Sequence, residues 1–432
     1  MAWERSGQVT VTYKVRLYEK YLDWILETKK LYNQVLKVYY ELLLKDLTLF
    51  HLSNHNLLRE LEICTVGTKE MKQQGKIQNS PLSAFPKLPM YFRRAAINHA
   101  ISMARSYQGR YQHWKEQKII LPPPTKTEKF HVDPIFYKGM YRNFTTDSIE
   151  LKLYNGTGWT WRKFRYTGRN FPVCATILSP TIHIQEKQVW LHIPLSFPVY
   201  DTRKIQERFQ TEEYFLAVYF PANNCMAAGV VLNKDGKQLD CCYFKGGNEL
   251  KQKREVVLRQ IKKIQESRNE KGTKAEDRLY KKIENLNMLY AHKISRQLVT
   301  FCEEKQIKLI VMPTYEKGLD FNKLAYLKTG KFDWQGRKIM RLLRYKALQK
   351  GIATTTVRAI HISDICSQCG EKIKKYNPGF SPKIRYFGGC LFTCSCGNKG
   401  NSALNAARNI GLRFLRYSNL DGLYYITNDK CP

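Results

Sequence analysis

Two neighbouring stretches carry the main clue to this chain: RYKALQKGIATTTVRAIHISDICSQCG at residues 344–370 and FTCSCGNKGNSALNAARNIG at residues 392–411. Each stretch contains two closely spaced cysteines, and the four are Cys366, Cys369, Cys394 and Cys396. A zinc ribbon arranges four thiolates tetrahedrally around one ion by means of two cysteine pairs that a β-rich segment separates. Because these cysteines are clustered, they indicate metal ligands rather than disulfides. The sequence therefore predicts a Zn²⁺ site.

The two cysteine pairs differ in spacing. The first is C-x2-C, whereas the second is C-x-C, one residue tighter than usual, so Cys390 is an alternative to one of its members. Four thiolates leave no open position for water, which indicates a structural role for the ion. Binding of the ion would contribute folding energy to a region too small to be stable alone.

The charge of the chain is strongly positive. Lys and Arg number 72 against 37 Asp and Glu, a formal net charge of +35. Self-repulsion of this size destabilises a compact state unless a polyanion screens it, and nucleic acid binds such surfaces by releasing condensed counterions. An ordinary basic protein is the plainer alternative. A membrane surface is less favoured, because no amphipathic anchor or lipidation motif is evident.

Nothing in the sequence points to a membrane or to export. No stretch approaches the roughly 18 consecutive apolar residues that a membrane span needs. The opening segment MAWERSGQVTVTYKVRLY lacks the apolar core of a signal peptide. We therefore expect a cytoplasmic, nucleoid-associated protein.

The second half of the chain alternates strand and helix patterns. Strand patterns at 214–220 and 226–232 precede an Asp235-Gly236 hairpin signal. Two long basic helices at about 247–269 and 274–305 lead to the short apolar run KLIVMP, which is typical of a buried strand. A helix at about 334–350, a strand VRAIHI and a final helix at about 402–416 follow. This order predicts an α/β layer domain.

The first half of the chain combines strands with a helical insertion. Residues 8–17 alternate apolar and polar side chains, and strand patterns return between about 130 and 200, including a hairpin that turns at Glu186-Lys187. Helical patterns occupy about 18–62 and 91–118. We expect a β-barrel or sheet that a helical segment interrupts.

Basic side chains interleave with aromatic ones in several elements. In WTWRKFRYTGR (159–169), alternation along a strand would separate rings from cations, at least in part. Such interleaving suits RNA, whose bases stack on rings, although an ordinary half-buried strand with a solvated face explains it equally well. The candidate nucleic-acid-binding residues are Arg93, Arg94, Arg105, Arg110, Arg162, Lys163, Arg165, Lys253, Arg254, Lys262, Lys263, Lys293 and Arg296.

The order of these motifs resembles the transposon-encoded TnpB proteins and the type V CRISPR effectors. The matching stretches are 216–236, 292–313, 344–370 and 392–411. The resemblance implies an RNA-guided DNA nuclease fold: a RuvC-like (RNase H-like) α/β domain with an inserted zinc ribbon, and an N-terminal wedge β-barrel with a helical recognition insertion.

The resemblance also implies a division into domains, within an overall α/β multidomain fold. The expected segments are 1–17 and 119–205 for the wedge-like barrel, 18–118 for the recognition lobe, 206–360 and 401–420 for the RuvC-like domain, 361–400 for the zinc ribbon and 421–432 for a tail.

The chain departs from the family at the catalytic positions. Nucleases of this family hold two Mg²⁺ ions with carboxylates from three separated motifs. Tyr219 stands at the first position, in AVYFPANN, Pro313 at the second, in KLIVMP, and Ala403 at the third, in ALNAARN. None of these side chains offers a hard anionic oxygen. We therefore expect no catalytic Mg²⁺ and no nuclease activity.

Four nearby carboxylates are candidates for replacing the missing ligands. Glu316 and Asp320 follow Pro313, off the strand end, and Asp235 and Asp240 lie at the hairpin, distant along the chain from Tyr219. One replacement ligand is conceivable, but three are not.

The combined features predict an RNA-guided DNA-binding protein without nuclease activity, acting as a transcriptional repressor or as a targeting factor. Its partners would be a guide RNA, a double-stranded DNA target and, in some settings, transposition or CRISPR-associated proteins. Two alternatives stay open. One is an active, Mg²⁺-dependent, transposon-associated nuclease with relocated carboxylates. The other is an unguided RNA- or DNA-binding protein.

Overall fold

The computed structural model describes residues 8–18, 21–67, 70–71, 81–116, 122–168, 171–172, 175–185, 188–199, 201–268, 274–315, 334–384 and 389–418. The predicted turn at Glu186-Lys187 and the predicted tail 421–432 lie outside these residues. Two units are distinguished: an N-terminal unit, Thr10–Phe197, and a C-terminal unit, Met1–Val9 together with Pro198–Pro432.

Alternation of side chains builds the sheet of the N-terminal unit. In β1 (Gln8–Leu17), Val15 and Leu17 are buried, whereas Lys14 and Arg16 are exposed. The other strands are β2 (Tyr141–Arg142), β3 (Ser148–Tyr154), β4 (Trp159–Thr167), β5 (Thr176–Ile177), β6 (Thr181–Gln185) and β7 (Gln188–Pro198). They pair in the order β2-β3-β4-β1-β7-β5, with β6 on β7. Within the described residues this path stays open, so the predicted barrel is a half-barrel sheet.

The first helical segment is broken where one continuous helix was predicted. Helix α1 spans Leu22–Lys45, and a 3-10 turn at Leu47–His51 separates it from α2 (Asn54–Val66). Asp46 is extended (φ −124°, ψ 93°), and its side chain accepts a hydrogen bond from the Thr48 amide. The Asp46 side chain thus begins a new turn instead of continuing the helix, as short polar side chains do.

Helices α1 and α3 (Met90–Glu116) pack closely. The contact face of α3 presents the buried Ala96, Ala100 and Ala104, spaced four residues apart and small enough to admit the large rings of α1. Tyr32 of α1 meets Phe92 edge-on at 5.4 Å between ring centroids. Each fully buried large apolar side chain contributes about 1.5–3 kcal/mol.

The C-terminal unit contains the predicted α/β layer domain. Its strands are β8 (Tyr214–Tyr219), β9 (Cys225–Asn233), β10 (Gln238–Lys245), β11 (Leu309–Thr314) and β12 (Ala353–Arg358). They form one sheet in the order β10-β9-β8-β11-β12, antiparallel from β10 to β8 and parallel from β8 to β12. The Asp235-Gly236 turn joins β9 to β10 as predicted, with Gly236 at φ +79°.

Strand β12 begins and ends earlier than the predicted strand VRAIHI. Its register with β11 runs from Leu309↔Ala353 to Thr314↔Arg358. Because its one neighbour in the sheet ends at Thr314, β12 loses its pairing partner after Arg358.

Helices cover both faces of this sheet. The helices of the unit are α4 (Ile205–Thr211), α5 (Gly247–Arg268), α6 (Lys274–Glu304), α7 (Gly336–Gln349) and α8 (Ser402–Ser418). Along β8, Phe215 and Ala217 pack towards α8, whereas Leu216 and Val218 pack towards α6 and α7. This two-sided burial explains the continuous apolar strands and is typical of parallel sheets. Among the described residues, no helix has the length and apolar content needed to cross a bilayer.

A buried arginine fixes the amino ends of β11 and β12. Arg208 of α4 is only 1% exposed. Its guanidinium donates to the carbonyl oxygens of Lys308 (3.1 Å), Gly351 (2.6 Å) and Asp201 (2.6 Å), and the Asp201 carboxylate lies 3.2 Å away. Arginine suits this role because its planar fork serves several acceptors at once.

Candidate functional site

The four clustered cysteines lie on two tight turns. The amide of Gly370 donates to the Cys366 carbonyl at 3.0 Å, and the amide of Gly397 donates to the Cys394 carbonyl at 3.1 Å. Both glycines adopt left-handed conformations, φ +82° and +86°, which cost other residues energy. The turns are carried by a small sheet with strands in the order β14 (Lys383–Ile384), β13 (Lys374–Tyr376), β15 (Leu391–Thr393) and β16 (Lys399–Asn401).

The sulfur atoms of the predicted ligands converge. The Sγ atoms of Cys366, Cys369, Cys394 and Cys396 all lie within 4.8 Å of one another. Tetrahedral zinc with Zn–S distances of about 2.3 Å requires sulfurs about 3.8 Å apart, so the group fits this ion. The cluster contains the C-x-C pair and not Cys390, whose amide donates to the Asn377 side chain at 3.0 Å.

The surroundings of Cys366 favour its thiolate. Burial raises the pKa of this thiol, but hydrogen bonds from the backbone near Cys369 and from the Asn398 side chain hold it below its ordinary value. The Asn398 amide group donates to Cys366 Sγ at 3.2 Å, and the backbone N–H of Gln368 does so at 3.4 Å. Thiolate is the form that binds metal.

Two asparagines attach the cysteine turns to α8. Asn405 accepts from the Ser367 amide at 2.9 Å and donates to the Ile365 carbonyl at 2.7 Å. Asn409, one turn later, donates to the carbonyls of Ile362 and Ile365, both at 2.9 Å. Both asparagines are nearly buried. The sequence contained the motif NAARN, but nothing in it showed that its amides hold the ribbon.

The three positions that the resemblance assigns to carboxylates lie together where β8 and β11 end and α8 begins. Tyr219 ends β8, and the parallel register pairs Val311 with Ala217, so that Pro313 lies opposite Tyr219 two residues further on. Ala403, at the start of α8, is 2% exposed and packs in the same apolar cluster as Tyr219. The three side chains are thus neighbours in the fold.

Buried phenol and thiol groups lie at this edge. Burial raises the pKa of Tyr219 to about 12, and a hydrogen bond with Ser363 acts in the opposite direction. Tyr243 is hydrogen-bonded with Cys225 and Asn401, and burial raises the pKa of Cys225 to about 12. At neutral pH these phenol and thiol groups are uncharged.

Two of the four carboxylates considered as replacements, Asp235 and Asp240, lie away from this edge. Asp235 accepts from Asn233 at 2.9 Å, and Asp240 forms an ion pair with Lys305 at 2.8 Å, both on the β9–β10 hairpin. Glu316 and Asp320 lie outside the described residues. In the parts of the chain that the structure describes, the four cysteines form the one group of three or more possible metal ligands.

One carboxylate that the sequence did not single out lies near Tyr219. Asp364 interacts electrostatically with Tyr219. It accepts hydrogen bonds from Ser363 and from Lys375, each at 3.0 Å. Although burial raises the pKa of this carboxyl, Lys375 brings it below its ordinary value. Its place directly before the first cysteine pair was the signal that could have identified it.

In the helices of the N-terminal unit, most candidate cations are engaged within the fold. Arg93 and Arg94 both bind Glu62, at 2.9 and 2.8 Å. Arg105 donates to the Leu52 carbonyl at 2.8 Å. Arg110 is exposed.

Strand β4 separates its rings and cations only in part. Arg162 shares the inner face with the buried Phe164 and Tyr166, and its guanidinium lies 4.4 Å from the Trp24 ring centroid. Lys163 and Arg165 are exposed on the opposite face, so those two remain available to a ligand. Arg169 lies outside the described residues.

On the long helices α5 and α6, some candidate cations form ion pairs and others are exposed. Lys253 pairs with Glu249 at 2.7 Å, and Lys262 pairs with Glu266 at 3.5 Å. Arg254 lines a small, partly open pocket at the start of α5. The exposed remainder comprises Lys263, Lys293 and Arg296.

Two segments of the chain match known family models, and part of it is similar to a curated protein. Residues 337–410 match the family model of the Cas12f1-like TNB domain, and residues 9–155 match that of the Aq_aa04 family. The chain is 28% identical over 171 residues to the TnpB-like protein aq_aa05 of Aquifex aeolicus (strain VF5), a match covering 38% of this chain and 54% of that protein. The chain thus spans about half the length of this curated relative.

A solved structure shares the fold. The mini-RNA-guided endonuclease CRISPR-Cas_phi3 matches with a TM-score of 0.57 at 10% identity, covering 95% of this chain and 93% of that chain. At this identity the likeness concerns the fold alone. In sequence, the chain is similar to a TnpB-like protein over 171 residues, and its residues 337–410 match the family model of a Cas12f1-like TNB domain.

Proposed function

We propose that this chain is an RNA-guided DNA-binding protein that lacks nuclease activity. The observation that carries the proposal is the convergence of Tyr219, Pro313 and Ala403 at one edge of the sheet, where a nuclease of this fold needs carboxylates. A neutral phenol, a proline ring and a methyl group cannot hold Mg²⁺ or supply the charge that activates water.

Binding is the function that the remaining features support. The relatives include a protein named as an RNA-guided endonuclease, and the net charge of +35 suits a polyanionic partner. Guide–target pairing would supply sequence specificity, while the protein recognises backbone shape and a short flanking motif. The domain division given above, with wedge, recognition lobe, RuvC-like domain and ribbon, belongs to this proposal.

The zinc ribbon would have a structural role. Cys366, Cys369, Cys394 and Cys396 would hold Zn²⁺ with all four positions filled by thiolates, which leaves none for a reacting water. The ion would supply the folding energy that the short strands β13–β16 cannot supply alone.

A complex that stays on DNA without cutting it would obstruct polymerase. Transcriptional repression is therefore the proposed outcome. The same DNA binding could instead select the target for a transposition or CRISPR-associated partner. Either role would be exercised in the cytoplasm, on the nucleoid.

The first test is to purify the full chain from cells that carry its flanking DNA. We expect one defined RNA species encoded beside the gene, and retention of duplex DNA that matches its guide segment. Recovery of heterogeneous RNA fragments alone would contradict guiding. It would instead support an unguided binding protein, whose affinity falls steeply with salt and is indifferent to target sequence.

The rival function is a Mg²⁺-dependent nuclease with relocated carboxylates, and Asp364 beside Tyr219 is the observation in its favour. Plasmid cleavage by the RNA-loaded chain, with Mg²⁺ and with chelator, separates the two. We expect intact plasmid in both conditions. Cleavage that chelation abolishes would establish the nuclease.

A further inference from the structure

Helices α6 and α7 lie side by side in the C-terminal unit and run in the same direction. Lys338 of α7 meets Glu284 of α6 at 2.7 Å, and further along, Lys350 meets Glu303 at 2.6 Å. Between these ion pairs, the Arg341 guanidinium lies 4.0 Å from the Met288 sulfur. The helices are held together by apolar residues buried on their facing sides.

The middle of this contact is rich in positive charge. Arg341 and Arg344 are exposed on α7, and Arg296 is exposed on the neighbouring α6. Lys346 is partly buried between the helices, where its ammonium donates to the His292 carbonyl at 2.8 Å and to the Ser295 hydroxyl at 2.7 Å. We call these four residues, Arg296, Arg341, Arg344 and Lys346, the basic seam.

The charge of the basic seam is not neutralised within the described part of the chain. The cations at its two ends each have a glutamate partner, whereas among the described residues no carboxylate lies within 4.0 Å of the four seam cations. Burial, and then the nearby Arg296, lower the pKa of Lys346 to about 8.

We propose that the basic seam binds the phosphate backbone of RNA that stays with the protein. This inference rests on the proposed function and names one surface that would serve it. Arginine forks pair with phosphates in a bidentate manner, and Arg341 and Arg344, three residues apart on one helix face, would contact the same backbone.

The reason for preferring resident RNA over DNA is energetic. An uncompensated cluster of cations is costly for the folded protein at all times, and not only when a target is present. A guide RNA that is bound throughout the life of the protein would offset this cost, whereas a DNA target that comes and goes would not. An acidic protein partner would satisfy the same charges and is distinguished by the experiment.

The test compares three double variants of the full chain. Arg341→Gln with Arg344→Gln removes two cations from the seam. Lys338→Gln with Lys350→Gln removes two cations from its ends, where glutamates already neutralise them, so both variants lose the same net charge. Arg341→Lys with Arg344→Lys keeps the charge and checks that folding is intact.

The first readout is the nucleic acid that co-purifies after a high-salt wash, digested with RNase or with DNase. We expect the seam variant to retain several-fold less RNase-sensitive material than the wild type, and the end variant to retain nearly as much as the wild type. The Lys variant keeps the charge but loses the bidentate fork, so it should retain an intermediate amount. Equal retention in all variants, a loss confined to DNase-sensitive material, or displacement of a protein instead of RNA would each overturn the proposal.

The second readout is the salt dependence of binding to a short RNA hairpin with a fully paired stem. Each cation that contacts a phosphate contributes about 1 to the slope of log K against log salt, so the seam variant should show a shallower slope than the end variant. An identical slope in the two variants would refute RNA binding by the basic seam, but it would not contradict the proposed function. Absence of any defined co-purified RNA from the wild type refutes the proposed function instead.

Discussion

The cysteine site and the sheet-edge site lie in the same unit, and α8 connects them, yet their chemistry differs completely. At the ribbon, four sulfur ligands converge within 4.8 Å. At the sheet edge, the backbone geometry brings three positions together, but their side chains are Tyr219, Pro313 and Ala403. Under the proposed function, the sheet edge keeps the backbone frame of a metal site without the metal ligands, because strand register and helix packing hold that frame.

The largest expected effect concerns the ribbon. Under the proposed function, Cys366→Ser should abolish Zn²⁺ binding and unfold the short strands β13–β16, because structural zinc contributes about 10–16 kcal/mol to the folding of small sites. Metal content by mass spectrometry and hydrogen exchange of this segment measure the loss. Cys390→Ser is the matched control and should retain the metal. Loss of metal from that control would show that the ligand set is different.

The second prediction concerns variants that introduce carboxylates at the sheet edge. Tyr219→Asp combined with Pro313→Glu and Ala403→Asp places three carboxylates together, and without a metal their unpaired charges should cost about 3–5 kcal/mol or more. Thermal melting should show a large fall in Tm that Mg²⁺ partly restores. Tyr219→Asp alone should also lower Tm, but Mg²⁺ should not restore it. A wild-type Tm that rises with Mg²⁺ to the same extent would indicate that the native edge already binds the ion.

The third prediction tests the connection between the two sites. Asn409→Ala leaves the buried carbonyls of Ile362 and Ile365 without this amide donor, which costs about 1–3 kcal/mol. Denaturant unfolding measures the change. Asn398→Ala is a useful comparison, because it removes a bond to the Cys366 sulfur rather than to α8. A larger effect of Asn398→Ala would mean that the thiolate contacts, and not the α8 connection, limit stability.

The smallest effect is expected at Tyr219 itself. Tyr219→Phe removes the hydrogen bond with Ser363 and should cost about 0.5–1.5 kcal/mol at pH 7, while DNA retention stays unchanged. The folded-state pKa of about 12 lies above the ordinary value of 10. The stability that the tyrosine contributes is therefore complete below pH 10 and is lost as pH rises towards 12.

The pH dependence gives this last variant a clear signature. Between pH 10 and 12 the stability of the wild type should fall more steeply than that of Tyr219→Phe, so the difference between them shrinks or reverses. Unfolding followed in urea at pH 7 and pH 11 measures it. Parallel pH profiles would show that Tyr219 ionises as an ordinary exposed tyrosine.

Much of the fold could be predicted from sequence because the signals are local. Cysteine spacing predicted the ribbon, and apolar periodicity predicted the strands of the α/β layer domain. The break at Asp46 was missed because it depends on one side chain capping a 3-10 turn. The early end of β12 was missed because it depends on the length of a neighbouring strand.

The surface was harder to predict than the core. Charge alone cannot distinguish Arg93 and Arg94, which share Glu62, from a cation that faces a ligand. Arg162 was predicted to bind nucleic acid, but its guanidinium lies over the Trp24 ring on the inner face of β4. Conversely, Arg341 and Arg344 escaped attention although their spacing places them on one helix face, because their setting depends on how α7 packs against α6.

The convergence of Tyr219, Pro313 and Ala403 has an evolutionary consequence. Under the proposed function, recovery of a nuclease would require three separate codons to change before any benefit appears. Each single reversion would place one charged group in a shielded, apolar setting, at a cost of several kcal/mol. Selection would remove such intermediates, so the change of function would be effectively one-way.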